Sequence, residues 1–132
     1  KTNKNIHMSW IVTLSSINIH SLPEIIAEYE ENYSDFGIYL NLVHDPDHYN
    51  MKIIPSSIRE TIINRLELIP KDANCWQNYL PGIIQFLKDG NPDITLWNKA
   101  MNEIKWQDAY RNQSFQEVYP EYYQLIQDTN YE

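Results

Sequence analysis

The sequence has a single cysteine, three glycines, and ten basic residues against eighteen acidic ones in 132 positions. Cys75, standing alone, excludes an internal disulfide framework and any multi-cysteine zinc or iron–sulfur site within this chain. It fits a reducing, cytoplasmic setting. Gly37, Gly82 and Gly90 cannot be assembled into GxGxxG or GxxxxGK[ST], which removes dinucleotide and P-loop sites. So little glycine also argues against a sandwich built on tight hairpins. With a formal charge of −8 and no Lys/Arg cluster, nothing here can neutralise phosphates. Nucleic acid and anionic membrane are therefore not expected as partners. No apolar run approaches the ~18 residues of a spanning helix, and no signal-peptide core is legible.

What is present is a core-forming composition, 42% hydrophobic, with ten Tyr, four Trp and three Phe. The length suits one domain or part of a larger one. Trp10 to Leu14 is β-rich and runs on through Ser15-Ser16-Ile17-Asn18, with the imperfect alternation of a strand buried on both faces. Ser21 and Glu24 form a capping-box pattern for a helix whose apolar stripe is Leu22, Ile25, Ile26 and Tyr29. Asp35-Phe36-Gly37 closes that unit, and Ile38 to Val43 reads as a second strand. Strand, helix and strand in this order predict a βαβ unit with parallel strands and a right-handed crossover.

His44-Asp45-Pro46-Asp47-His48 then reads as a polar loop, and Tyr49 to Ile54 as an extended segment ending at Pro55. Helical patterns follow. Ser57 and Glu60 suggest a second capping box, for a helix carrying Ile58, Ile62, Leu66 and Ile69 and stopped by Pro70. Trp76, Tyr79, Leu80, Ile83, Ile84 and Leu87 form the cleanest stripe, with Pro81 predicted to kink the helix or mark a late start. Gly90-Asn91-Pro92 is a stop signal, and Asp93 a cap for a helix running to about Arg111 through Trp97, Ala100, Met101 and Ile104. Ser114 with Glu117 opens a last helix carrying Val118, Tyr122, Leu125 and Ile126.

The fold class is thus α/β and mainly helical. A βαβ unit over residues 1–55, a partial parallel sheet or half-barrel, precedes a bundle of about four helices over residues 56–132. Two parallel strands do not make a complete sheet, so the chain reads as the tail of a larger α/β protein, or as one that completes its sheet with a partner. The first residue is Lys1, and coding sequence upstream of it is expected.

Several strings resemble one family. Thr13-Leu14-Ser15-Ser16-Ile17-Asn18 followed by Ser21-Leu22-Pro23-Glu24-Ile25 looks like a late strand-and-helix unit of a radical S-adenosylmethionine barrel. Asn41 to Tyr49 with Ile53-Ile54-Pro55 is similar to the NxxxxPxxY…LP passage of twitch-domain radical SAM proteins of phage and marine microbial type. Trp106 to Phe115 with Val118-Tyr119-Pro120-Glu121 resembles their closing D-x-x-R-x-x-x-F…P-E helix pair. The resemblance covers roughly residues 10–125.

The resemblance implies a carboxy-terminal half-barrel and helical extension that helps bind S-adenosylmethionine and covers a substrate, a protein or peptide among the candidates. The family's CxxxCxxC motif, which holds a [4Fe–4S] cluster, is not in this chain, so the cluster and the cofactor belong to a full-length parent. The isolated chain is expected to be non-catalytic, with no catalytic residue assigned. Ser15 and Asn18 after the first strand, and Asn41 and His44 at the end of the second, are the implied cofactor-side positions, because barrels place their sites at strand carboxyl ends.

Other constellations have plainer readings. His44 and His48 with Asp45 and Asp47 are ligand types for zinc or iron, but Pro46 interrupts helical i, i+4 spacing, and a polar turn explains them. No metal is assigned. Glu28, Glu30, Glu31 and Asp35 read as a solvated helix face, and Cys75 has no basic neighbour in sequence to activate it. Trp76, Tyr79, Trp97, Trp106, Tyr110, Tyr119, Tyr122 and Tyr123 exceed the needs of a small core, although clean helical spacing favours packing for Trp76, Tyr79 and Trp97. This gives a second functional reading, a stand-alone helical module that binds a protein or peptide through an aromatic face. It also leads us to expect homo-oligomers of the isolated chain, unless the missing amino-terminal half covers the same surface.

Overall fold

A computed structural model describes residues 8–129. Strand β1 (Ser9–Leu14), helix α1 (Leu22–Asn32) and strand β2 (Gly37–Leu42) form the expected unit, with β1 and β2 parallel and Trp10 opposite Ile38, Thr13 opposite Asn41 and Leu14 opposite Leu42. Helices α2 (Ser56–Glu67), α3 (Trp76–Lys88), α4 (Ile94–Arg111), α5 (Phe115–Val118) and α6 (Pro120–Asp128) follow. The protein is a mainly helical α/β fold. Among the described residues no helix is long and apolar enough to cross a membrane.

The strands depart from the expected two-sided burial. Trp10, Val12 and Leu14, with Ile38, Leu40 and Leu42, turn inward, while every residue between them is exposed. Helix α1 covers the inner face: Leu22, Ile26 and Tyr29 are buried, and the Trp10 ring lies 5.7 Å from that of Tyr29. The Tyr29 hydroxyl donates to the Phe36 carbonyl and fastens the turn into β2. Nothing among the described residues covers the other face, so the period-2 alternation of a one-sided sheet prevails.

Strand β1 also stops at Leu14 rather than Asn18. The Asn18 side chain folds back on the backbone, with Oδ1 accepting from Ser15 N at 2.8 Å and Nδ2 donating to the Thr13 carbonyl at 2.8 Å. Such local bonds compete with a ladder and end it. Ser21 does not cap α1; it belongs to a 3₁₀ turn (Ile19–Ser21), and Glu24 instead pairs with Arg65 at 2.7 Å. Ser57 likewise makes no cap, because α2 begins at Ser56 behind Pro55. The segment predicted as extended is two 3₁₀ turns, Asp47–Tyr49 and Met51–Ile53, the second held by Asn50 Oδ1 accepting from Lys52 N at 2.9 Å.

Pro81 lies inside α3 on its exposed side, so it does not mark a late start. The signals around α4 act as expected: α3 stops before Gly90-Asn91-Pro92, and Asp93 Oδ1 accepts from Leu96 N at 3.1 Å. Ser114 Oγ accepts from Glu117 N at 3.3 Å, but the last helix is broken in two because Pro120 keeps Tyr119 out of helical conformation (φ −128°, ψ 64°).

A single apolar cluster runs from Leu14 and Ile19 in the βαβ unit through Ile58, Leu80 and Trp97 to Ile126. It passes across the sheet-to-helix boundary at Pro55. Arg59 stitches that junction from a buried position: Nη2 donates to the Ile54 carbonyl at 2.9 Å and Nη1 to the Gly90 carbonyl at 3.3 Å.

Candidate functional site

The carboxyl ends of β1 and β2 make a rim organised around buried Ser16. Its N donates to the Tyr49 carbonyl at 2.9 Å, its Oγ to the His48 carbonyl at 2.9 Å, and its own carbonyl accepts from the Tyr122 hydroxyl at 2.7 Å. The turn after β1, the loop after β2 and helix α6 are therefore tied at one residue. Every polar group of Ser16 is matched, which is the condition for burying it. Burial pushes the Tyr122 phenol well above its ordinary range, so it stays a hydrogen-bond donor.

All four sequence-derived positions lie at this end of the sheet, in different circumstances. Ser15 and Asn18 are committed to their own turn, Ser15 Oγ also accepting from Ile17 N at 3.2 Å. Asn41 stands exposed on the open face of β2. His44 is exposed just beyond β2, its ring edge-on to Phe86 at 6.2 Å. Of the four, Asn41 and His44 keep exposed side chains, while Ser15 and Asn18 shape the turn beneath.

His48 goes elsewhere. It is buried, and its Nε2 pairs with Glu103 Oε2 on α4; the neighbouring Tyr49 hydroxyl donates to the same oxygen at 3.1 Å. Burial opposes charge on Glu103. The hydrogen bonds from His48 and Tyr49, with attraction from His48 and Lys99, outweigh it and hold the carboxyl below its usual range. His44 and His48 therefore have different partners, and no three His, Cys, Asp or Glu side chains converge among the described residues. The geometry gives the His48–Glu103 pair a positioning role, pinning the loop after β2 onto α4. Buried Cys75 has its thiol pushed up to about 11 and stays protonated at neutral pH. On α1, Glu28 accepts from Asn32 Nδ2 at 2.7 Å and Glu30 from Asn74 N at 2.9 Å, as surface carboxylates do.

Sequence reasoning missed Glu103, Ser16 and Arg65. Glu103 follows Ala100 by one helical turn, beside the buried stripe, and a carboxylate there is the only local hint. Arg65 donates to the His20 carbonyl at 2.9 Å and to Glu24, joining α2 to the turn before α1. The buried His20 ring stacks on Tyr122 at 5.0 Å and 5°.

Burial, and then the nearby Arg65 charge, lower the His20 pKa from its ordinary 6.5. A lowered folded pKa means that the unfolded chain binds the proton more readily. Stability should therefore be full above pH 6.5 and decline as pH falls through that value toward the folded pKa. His20→Phe retains the ring stack and should flatten this decline; melting temperatures from pH 7.5 to about 5.5 check it.

Beside the rim, the open sheet face carries Ser9, Ile11 and Thr13 from β1 and Gly37, Tyr39 and Asn41 from β2. Ile11 and Tyr39 are register partners, 68% and 52% exposed. In the comparisons with known proteins, no protein-family model, curated protein or solved structure matches the chain.

Proposed function

We propose that this chain is the carboxy-terminal, substrate-side wall of a radical S-adenosylmethionine-like enzyme and is inactive by itself. The open sheet face is the observation that carries the reading. A parallel βαβ unit with its helix on one face leaves the other to a second helical layer or to a barrel lumen. Ser9, Thr13 and Asn41 interleaved with Ile11 and Tyr39 make a mixed surface, suited to a lumen that meets a substrate rather than to a dry helix contact. The neighbouring rim is where a barrel would place its site.

The residues fit the implied groups unevenly. A [4Fe–4S] cluster does not fit this chain, whose one cysteine is buried and protonated, and no step is assigned to it here. S-adenosylmethionine would meet Asn41 and His44 as free polar groups, with Ser15 and Asn18 setting the turn that backs them. The His48–Glu103 pair would keep the loop bearing His44 in place.

In isolation the uncovered face should associate with itself, and Ile11→Lys with Tyr39→Lys should make the chain monomeric without unfolding it. Light scattering at micromolar concentration checks this, and a monomeric wild-type chain contradicts it. A second reading, a helical interaction module, is favoured by one observation. Trp106 and Tyr110 on α4 stack at 5.3 Å while 64% and 78% exposed. If association persists in the lysine variant and is lost in Trp106→Ala, the aromatic surface is the interface.

A further inference from the structure

Away from the sheet face, helices α1 and α2 and the loop beyond α2 enclose an apolar pocket of about 380 Å³. Buried Ile26 and Ile69 form its floor, Pro23 and Ala27 one wall, and Leu68 its lip. Leu68 is 82% exposed, the highest value among the large apolar side chains of the described residues. The helix C-cap holds this isobutyl group in water beside a ready apolar surface. A guest in the pocket would cover both, and the volume has ample room for a Leu- to Phe-sized group.

The rim determines the guest's charge. Glu30 and Asp72 flank the opening, and Glu28 and Glu31 continue the acidic surface of α1. The cations here are engaged: Arg65, which also lines the pocket, is held by Glu24 and the His20 carbonyl, and Lys71 lies 4.3 Å over the Trp76 ring. An apolar group with a carboxylate would be repelled, and one with a cation attracted. A chain bearing several cations gains most, because the acidic residues extend beyond the pocket mouth.

We propose that this pocket docks a basic peptide segment of a partner, with one Leu-, Ile- or Phe-sized side chain in the pocket and Lys or Arg on either side against Glu30 and Asp72. The site is independent of the open sheet face and of the enzyme reading.

The test pans a random heptapeptide phage library on the immobilised chain. The enriched peptide is then titrated by fluorescence polarisation. Enriched sequences should place an apolar residue next to Lys or Arg. Ala27→Phe, which fills the pocket from an exposed position, should weaken the peptide by about tenfold or more, the loss of most of one buried side chain. Glu30→Gln with Asp72→Asn should weaken it about two- to fivefold, as should added salt. Leu68→Ser serves as the second pocket variant and should also weaken binding. Enrichment of neutral or acidic peptides, undiminished binding to both pocket variants, or no enriched sequence overturns the proposal.

Discussion

Trp97→Ala should cost about 3–5 kcal/mol of folding free energy, the largest effect expected of any single substitution here. Trp97 is fully buried one turn into α4, and its N donates to the Asp93 carbonyl at 2.9 Å. Asp93 is itself bonded through its N to the Ile53 carbonyl at 3.2 Å. Removing the indole leaves a cavity where the start of α4 meets the turns after β2. Because α4 also carries Glu103, the His48 loop should loosen along with the core. Thermal melts should shift down by about 10–20 °C. Trp97→Phe keeps much of the apolar volume and should lose well under half as much. Equal losses for both would mean that the pocket around Trp97 does not depend on filled volume.

Arg59→Leu should destabilise by about 2–4 kcal/mol, although it replaces a buried charge with an apolar side chain. The opposing effects can be weighed. Burial penalises the guanidinium and lowers its pKa, so its removal recovers some desolvation. Against this, the Ile54 and Gly90 carbonyls lose their donors, at about 1–3 kcal/mol for each group left unmatched. Two stranded acceptors outweigh one relieved cation, so the net effect is a loss. The chain is closely packed at Gly90, where an added Cβ would meet the Lys52 and Leu87 carbonyl oxygens at 3.0 and 3.1 Å. Denaturant unfolding of the two proteins measures the difference. A neutral or stabilised variant would show that those carbonyls find other donors.

The parts of the fold legible in the sequence are those set by neighbours along the chain. The Leu22, Ile26 and Tyr29 stripe located α1, Asp93 located the start of α4, and Gly90-Asn91-Pro92 marked the stop before it. Local patterns failed where a distant group took the side chain they needed. The Ser21 and Glu24 capping box is not made, and Glu24 is held by Arg65, 41 residues away. Tyr49, Met51 and Ile53 alternate with polar residues like a strand, yet Asn50 captures the Lys52 amide and turns the chain.

The candidate site divides the same way. The strand ends follow from the strands, so Ser15, Asn18, Asn41 and His44 could be placed at one end of the sheet. The Ser15–Asn18 turn was not foreseen, because an extended reading of Ser15 to Asn18 leaves their side chains apart. Pro46 argues against pairing His48 with the nearby His44, and nothing local names another partner for His48. Its partner, Glu103, is 55 residues away on another element. The one-sided burial of the sheet was hidden for a different reason. Ile11 and Tyr39 are as apolar as core residues, and only the absence of a covering layer among the described residues exposes them.

The central claim is that the sheet and its rim are completed by a cluster-bearing half. Reading the source DNA for about 600 nucleotides upstream of the Lys1 codon, a span set by the usual size of barrel domains, tests it most directly. The account predicts an open frame with CxxxCxxC near the start of a series of strand–helix units. A stop codon in frame before any such motif would contradict it and move the helical interaction module to first place.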